Sequence, residues 1–239
     1  MAKVKQKLKK FGRYVWEMIK AALPSTFMYF CAGTIMMMLA FKKSPVAWTT
    51  STKVWFVVAI LAAVAYNGLI CWAHGAQHYE MLVSGNIKRA TADMYGSAYR
   101  ISTHKEAKEY RVWKGFAIGG VTALFTLGVG LYFGIRQGRI DQQLTIGSLV
   151  GFLLSGWSVL PFYCINKAAG MSISYFITCA FAIIPIVVSG GIYIAGAYAR
   201  RAKTIRQQIL ADRAAEAEAN KPKKINYGGL PGTKPKKRK

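Results

Sequence analysis

Acidic residues are scarce in this chain, and charge of either sign is missing from long parts of it. Asp and Glu number 9 against 33 Lys and Arg, so the formal net charge of the 239 residues is +24. No charged residue and no histidine falls within five apolar runs, which cover residues 23–41, 54–73, 115–135, 146–165 and 173–199. Each run is near or above the ~20 residues that a helix needs to cross about 30 Å of hydrocarbon. This separation of apolar from basic segments is typical of a membrane protein and excludes an ordinary soluble domain.

The absence of charge from the runs restricts both the fold and the function. A charge at the centre of a spanning helix costs about 2.5–3.5 kcal/mol on the insertion scale. We therefore predict an all-α, polytopic transmembrane helix bundle of four or five spans. Proton- or ion-coupled transport by a single copy is disfavoured, because it normally uses ionisable groups inside the bilayer. Asn67 is the strongest polar group in a run, and we expect it to form an interhelical hydrogen bond, with a substrate contact as the alternative.

Motifs for catalysis and for cofactors are also missing. The four cysteines lie inside the runs or at their ends, and their spacing fits neither a disulfide framework nor a zinc site. The sequence has no GxxxxGK[ST] phosphate loop and no nucleophile motif around a Ser or Cys. We predict no cofactor, and an enzyme is the class that the sequence supports least.

The distribution of Lys and Arg bears on the number of spans. In chain order the flanking segments hold 7 (1–20), 3 (42–53), 7 (74–114), 2 (136–144), 1 (166–172) and 13 (200–239). Five crossings would divide these charges almost evenly between the two sides, against the positive-inside rule. If the run at 146–165 does not cross, 27 basic residues lie on one side and 6 on the other, and leaving out 115–135 or 173–199 instead does about as well. Both termini are then expected in the cytoplasm, and the leader favours a bacterial plasma membrane because it lacks presequence character.

The run at 146–165 is the best candidate for the segment that does not cross. Ser155, Gly156, Ser158 and Pro161 suit a broken or re-entrant segment that is buried among neighbouring helices. The alternative is five true spans with an exported basic tail.

Outside the runs, the chain divides into segments of different composition. We expect a basic amphipathic interfacial helix (1–22), a first transmembrane hairpin (23–73), a soluble helical hairpin (74–114), a second transmembrane bundle (115–199), a helical extension (200–220) and a disordered basic tail (221–239). Pro24 is expected to start the first spanning helix. In the soluble hairpin, Ser84-Gly85-Asn86 predicts a turn that ends one helix near Val83, with a second helix over 87–113.

Basic and aromatic residues near the membrane are the candidate binding residues for an anionic leaflet, an acidic protein or RNA. They are Lys5, Lys9, Lys10, Arg13, Trp16, Lys88, Arg89, Arg200, Arg201, Lys236, Lys237 and Arg238. A metal site is a separate hypothesis: His74 and His78 are four residues apart, with Glu80 nearby. The pattern is not HExxH, so metalloprotease chemistry is not indicated. Histidines that form hydrogen bonds to lipid headgroups at the membrane boundary are the alternative.

Small residues at a spacing of four predict close helix packing, within the chain or in a homo-oligomer. The pairs are Gly115 with Gly119, Gly130 with Gly134, and Gly147 with Gly151. Two functional hypotheses follow. The first is a non-catalytic membrane scaffold or assembly factor that recruits an anionic partner through its basic hairpin and tail. The second is an oligomeric channel or permease component for a neutral solute, lined by Asn67, Thr122, Thr126, Ser155 and Ser158.

Overall fold

The computed structural model describes residues 2–42, 47–95, 109–140 and 146–220. Within these residues six helices follow one another: α1 (Ala2–Lys42), α2 (Thr50–Tyr95), α3 (Val112–Arg136), α4 (Ile146–Ala169), α5 (Phe176–Phe181) and α6 (Ile183–Ala219). α1 to α4 and the pair α5–α6 each contain a stretch long and apolar enough to cross a membrane. The predicted all-α transmembrane bundle is confirmed. The chain divides into two compact units, Met1–Arg201 and Ala202–Lys239, and within the second unit residues 205–220 are exposed.

The first helix is longer than the sequence indicates. α1 is continuous from Ala2 to Lys42 and contains Pro24 in its interior, so the expectation that Pro24 starts the span is wrong. Residues on both sides of the proline, among them Ala22 and Ser25, are fully buried on one face of this helix. Tertiary packing on that common face therefore outweighs the helix-breaking tendency of proline.

The second helix also continues past its predicted end. α2 runs to Tyr95 through Ser84-Gly85-Asn86, so the turn expected there is wrong. A glycine inside a helix costs only about 1 kcal/mol relative to alanine, and a long helix tolerates that cost. Of the predicted second limb (87–113), residues 87–95 belong to α2, residues 109–111 are not helical, and residues 96–108 lie outside the described part of the chain. The 221–239 tail also lies outside the described residues.

Contacts between helices fix their relative directions. α1 and α3 are parallel, because the Tyr14 ring meets Trp113 near one end and Thr26 meets Thr122 further along. α3 and α6 are antiparallel: a Cβ added at Gly115 would touch Tyr193, and one added at Gly119 would touch Pro185, eight residues earlier in α6.

α2 runs parallel to α6. Asn67 of α2 contacts Ser189 of α6, and His78, further along α2, contacts Tyr193, further along α6. We call the end of the first unit that contains Tyr14, His78 and Tyr193 the basic end. The other end, at which α1 and α3 terminate, is the opposite end.

α4 is not a straight helix. Ser155 has non-helical backbone angles (φ −141°, ψ 31°), and the two limbs meet there at a sharp kink. The rings of Phe152 and Tyr163 are 5.4 Å apart, although a straight helix would separate the two residues by about 16 Å along its axis. The predicted break in this run is present, and the helix folds back on itself there.

Both outer ends of α4 lie near the opposite end. In the first limb, a Cβ at Gly151 would come within 2.6 Å of Phe133 in the last turns of α3. In the second limb, Asn166 donates to the backbone carbonyl of Ile140, just beyond α3. The limbs contain nine and fourteen residues (146–154 and 156–169), or about 14 and 21 Å of helix, and each is shorter than about 30 Å of hydrocarbon.

The tip of the folded helix packs against the middle of α1. A Cβ added at Gly33 would lie 3.2 Å from the Gly156 Cα atom, so the two backbones touch. The Trp157 ring lies 4.7 Å from the Tyr29 ring. We call this folded helix the α4 hairpin and the segment 155–158 its tip.

The predicted glycine pairs lie against other parts of the same chain wherever they are described. A Cβ at Gly119 would lie 2.4 Å from the Pro185 carbonyl oxygen, at Gly130 2.7 Å from the Cys179 sulfur, and at Gly134 2.9 Å from the Phe176 ring. These glycines allow α5 and α6 to approach α3 closely. The side-chain position of Gly147 lies outside the described part.

Candidate functional site

Asn67 is the centre of a buried polar network in the middle of the bundle. Its side-chain amide donates to the Ser189 hydroxyl at 3.0 Å and to the Tyr29 hydroxyl at 3.5 Å. The Cys71 thiol donates to the Asn67 side-chain carbonyl at 3.5 Å. Asn67 is fully buried, so the network joins α1, α2 and α6 in a region without charge.

The tip of the α4 hairpin is polar as well. The Ser155 and Ser158 hydroxyls are 2.7 Å apart, and Ser158 also donates to the Ser155 carbonyl at 2.9 Å. The Ser155 carbonyl oxygen accepts this bond, so the backbone acceptor at the kink is satisfied by a side chain. Because Trp157 packs on Tyr29, the tip adjoins the Asn67 network.

The five residues proposed as pore lining all lie inside the first unit. Asn67, Ser155 and Ser158 are fully buried, and so is Thr126, while Thr122 is 3% exposed and its hydroxyl lies 3.0 Å from that of Thr26. Within the described part of the chain, the buried Thr126 hydroxyl has no hydrogen-bond partner. Neutral polar groups therefore lie among the apolar side chains of the bundle interior.

A second cluster lies at the basic end, around Tyr193. The Tyr193 hydroxyl is 2.8 Å from the Nδ1 atom of His78, and the Tyr110 ring stacks on the Tyr193 ring at 5.4 Å. The Tyr110 backbone N–H donates to the His78 carbonyl, which holds the segment before α3 against α2. Partial burial, together with the nearby Tyr198 hydroxyl, raises the pKa of Tyr110, so this phenol is neutral at physiological pH.

Lys114 is a fully buried charged residue at this end. Its ammonium group donates to the Glu109 backbone carbonyl. The same group lies 5.6 Å from the centre of the Tyr14 ring, a distance at which a cation–π attraction operates. A lysine buried in this way fixes the start of α3 against α1.

Two of the three residues of the proposed metal site, His78 and Glu80, interact with other side chains. His74 and His78 have ring centres 5.9 Å apart, but His78 bonds to Tyr193. Glu80 pairs with Arg200 at 2.8 Å. Among the residues that the structure describes, no three His, Cys, Asp or Glu side chains are grouped for metal binding.

A half-open cleft lies between α1 and α2 at the basic end, with a volume of about 170 Å³. Its lining consists of Glu17, Lys20, Ala21, His74, Gln77, His78 and Met81. We call it the interfacial cleft. Sequence reasoning did not identify Glu17 or Lys20, because only the pairing of α1 with α2 brings them to the two histidines.

The candidate partner-binding residues are exposed where their side chains are described, apart from Arg200, which is partly exposed and paired with Glu80. On α1, Lys5, Lys9, Lys10, Arg13 and Trp16 are exposed, and Arg201 is exposed on α6. The side chains of Lys88 and Arg89, and the residues Lys236, Lys237 and Arg238, lie outside the described part. A pair between exposed side chains, such as Glu80–Arg200, is worth at most about 1 kcal/mol.

Replacing Tyr193 with phenylalanine tests the cluster at the basic end. The variant loses the hydrogen bond to His78 and keeps the ring stacking, so we expect the unfolding free energy to fall by about 1 kcal/mol. Thermal unfolding in detergent, followed by near-ultraviolet circular dichroism, measures the change. Tyr66→Phe is the matched control, because Tyr66 is an exposed phenol on α2. If the two substitutions lowered the unfolding free energy equally, the stabilising role of the Tyr193–His78 hydrogen bond would be contradicted.

Fold and site together define the class: the chain is a multi-pass α-helical membrane protein with a buried neutral polar network around Asn67 and a folded-back helix. Comparison with known proteins assigns it no further, since no family model, curated protein or solved structure matches the chain significantly.

Proposed function

We propose that this protein is a non-catalytic scaffold of the cell membrane that recruits an anionic partner to its cytosolic face. The observation that carries the proposal is the α4 hairpin. If α4 enters and leaves on one side, four segments cross the membrane: α1, α2, α3 and the α5–α6 pair. The segments 1–20, 74–114 and 200–239 then lie on one side of the membrane, and they hold 27 of the 33 Lys and Arg.

The charge distribution supports a cytosolic position for the basic end. With four crossings, 6 Lys and Arg remain for the opposite side, in agreement with the positive-inside rule. The recruiting force is then long-range electrostatic attraction, which salt screens over about 8–10 Å. Its binding groups include the exposed Lys5, Lys9 and Arg201, together with the basic residues of 221–239.

Binding of polyanions by the full-length protein tests this function. The protein is placed in nanodiscs of phosphatidylcholine, so that anionic lipid does not compete, and is titrated with fluorescent single-stranded RNA and with polyglutamate. We expect at least one of the two to bind. Its affinity should fall steeply between about 50 and 200 mM salt, because each ion pair formed with the polyanion releases counterions. No binding of either polyanion at low salt would refute recruitment by charge.

A channel for a neutral solute is the second candidate, favoured by the burial of Asn67, Thr122, Thr126, Ser155 and Ser158 in one interior. It predicts glycerol or urea flux into liposomes that contain the purified protein, and loss of this flux in Asn67→Leu. The scaffold proposal predicts the same slow leak with the wild type, with Asn67→Leu and with empty liposomes. Flux that depends on Asn67 would therefore overturn the scaffold as the main function.

A further inference from the structure

The interfacial cleft lies at the depth at which two helices enter the hydrocarbon. Lys20 is three residues before the first apolar run, and His74 directly follows the second run. Trp16, which suits the headgroup region, is beside Lys20, whose ammonium group lies 5.3 Å from the Trp16 ring centre. Phospholipid headgroups are therefore the most concentrated ligands available to this cleft.

The groups around the cleft include charges of both signs. Lys20 supplies an ammonium group and Glu17 a carboxylate, while His74 and Gln77 supply neutral donors. In the part of the chain that the structure describes, neither Lys20 nor Glu17 forms a salt bridge, although Glu17 interacts electrostatically with Lys114. A ligand that carries both a phosphate and an ammonium group would complement this arrangement.

The size of the cleft suits a small headgroup. Its volume is about 170 Å³, well below the roughly 300–1,000 Å³ of pockets that hold drug-sized ligands. Ala21 and Met81 supply the apolar part of the lining, and the polar side chains supply the rest. The cleft is half-open, so a headgroup can occupy it while its acyl chains remain in the bilayer.

We propose that the interfacial cleft binds the headgroup of an aminophospholipid of the phosphatidylethanolamine type. Lys20, with donors from His74 and Gln77, holds the phosphate, and Glu17 accepts hydrogen bonds from the primary ammonium group. A choline headgroup has no N–H to donate to Glu17, and a glycerol headgroup has no positive charge for it. This site goes beyond the scaffold function and does not depend on it.

Titration of the detergent-solubilised full-length protein with short-chain lipids tests the site. Calorimetry is expected to show that dihexanoyl phosphatidylethanolamine binds about tenfold more tightly than the phosphatidylcholine or phosphatidylglycerol analogue. A tenfold difference corresponds to about 1.4 kcal/mol, close to the contribution of one charge-assisted hydrogen bond. Lys20→Met is expected to weaken phosphatidylethanolamine binding about tenfold. Glu17→Leu, which removes the acceptor oxygens, is expected to remove the preference over phosphatidylcholine. Lys7→Met, a change at an exposed lysine of the same helix outside the cleft, should leave binding unchanged.

Three results would overturn the proposal. They are equal affinities for the three lipids, a Lys20→Met effect no larger than that of Lys7→Met, and free phosphoethanolamine binding as tightly as the lipid, which would assign the cleft to a soluble molecule. Each variant is used only if its unfolding temperature matches that of the wild type. Lys20→Gln replaces Lys20→Met if the methionine variant does not fold.

Discussion

Replacing Gly33 with leucine is expected to displace the α4 hairpin and to lower the unfolding free energy by more than about 3 kcal/mol. At Gly33 even a Cβ atom would lie 3.2 Å from the backbone of Gly156 and Trp157, where no flexible side chain can move aside. Overpacking of cores costs about 1–3 kcal/mol, and leucine adds three more carbons at this backbone contact. Gly33→Ala should have a smaller effect of about 1 kcal/mol.

Gly120→Leu is the matched control for this prediction. Gly120 lies in α3, and a Cβ added there would meet nothing within 4 Å. Because leucine forms helix better than glycine by up to about 1 kcal/mol, this control should be neutral or slightly stabilising. Both variants are compared by thermal unfolding in the same detergent. A Gly33→Leu protein as stable as Gly120→Leu would show that the tip does not pack on α1.

Neutralising the basic C-terminal segment is expected to weaken polyanion binding by more than about 100-fold at 50 mM salt. Residues 221–239 contain eight Lys and Arg, and changing all of them to glutamine removes that charge while keeping the length. Each basic residue near an anionic surface contributes roughly 1 kcal/mol, so a loss of about 2.7 kcal/mol requires only part of the set. The salt dependence of binding should become shallower in the same variant.

A control for the charge change keeps the charge and alters the sequence. A variant in which the order of residues 221–239 is shuffled should bind polyanions as the wild type does, because the attraction depends on net charge. Equal binding by the wild type and the glutamine variant would exclude this segment as the recruiting element. Strong binding by the wild type and weak binding by the shuffled variant would replace electrostatic recruitment with recognition of a specific sequence.

The apolar runs and the break in α4 could be predicted because each has a strong local signal. Runs of about twenty residues without charge have few structural alternatives, and Ser155-Gly156 followed by Pro161 weakens one helix at a definite place. Single proline and glycine residues predicted helix ends wrongly, because a long packed helix tolerates the free-energy cost of one such residue. Pro24 lies inside α1 and Gly85 inside α2, and both helices continue through those positions.

The candidate sites could be predicted only in part, because they depend on which helices meet. Asn67 is visible in the sequence as a polar residue in an apolar run, but its partner Ser189 is 122 residues away. The contact between His78 and Tyr193 spans 115 residues and has no periodic signal. The interfacial cleft requires the antiparallel pairing of α1 with α2, which no spacing within either helix indicates.

Labelling of single cysteines in intact cells tests most directly whether α4 enters and leaves the membrane on one side. Gln142 and Met171 flank α4, and each is changed to cysteine in a protein without the four native thiols, as are Ser44, Ser102 and Thr233. A membrane-impermeant maleimide is expected to label Gln142, Met171 and Ser44 in intact cells, and Ser102 and Thr233 only after lysis. Labelling of Gln142 and Met171 from opposite sides would mean that α4 crosses, and would contradict both the four-span topology and the cytosolic scaffold.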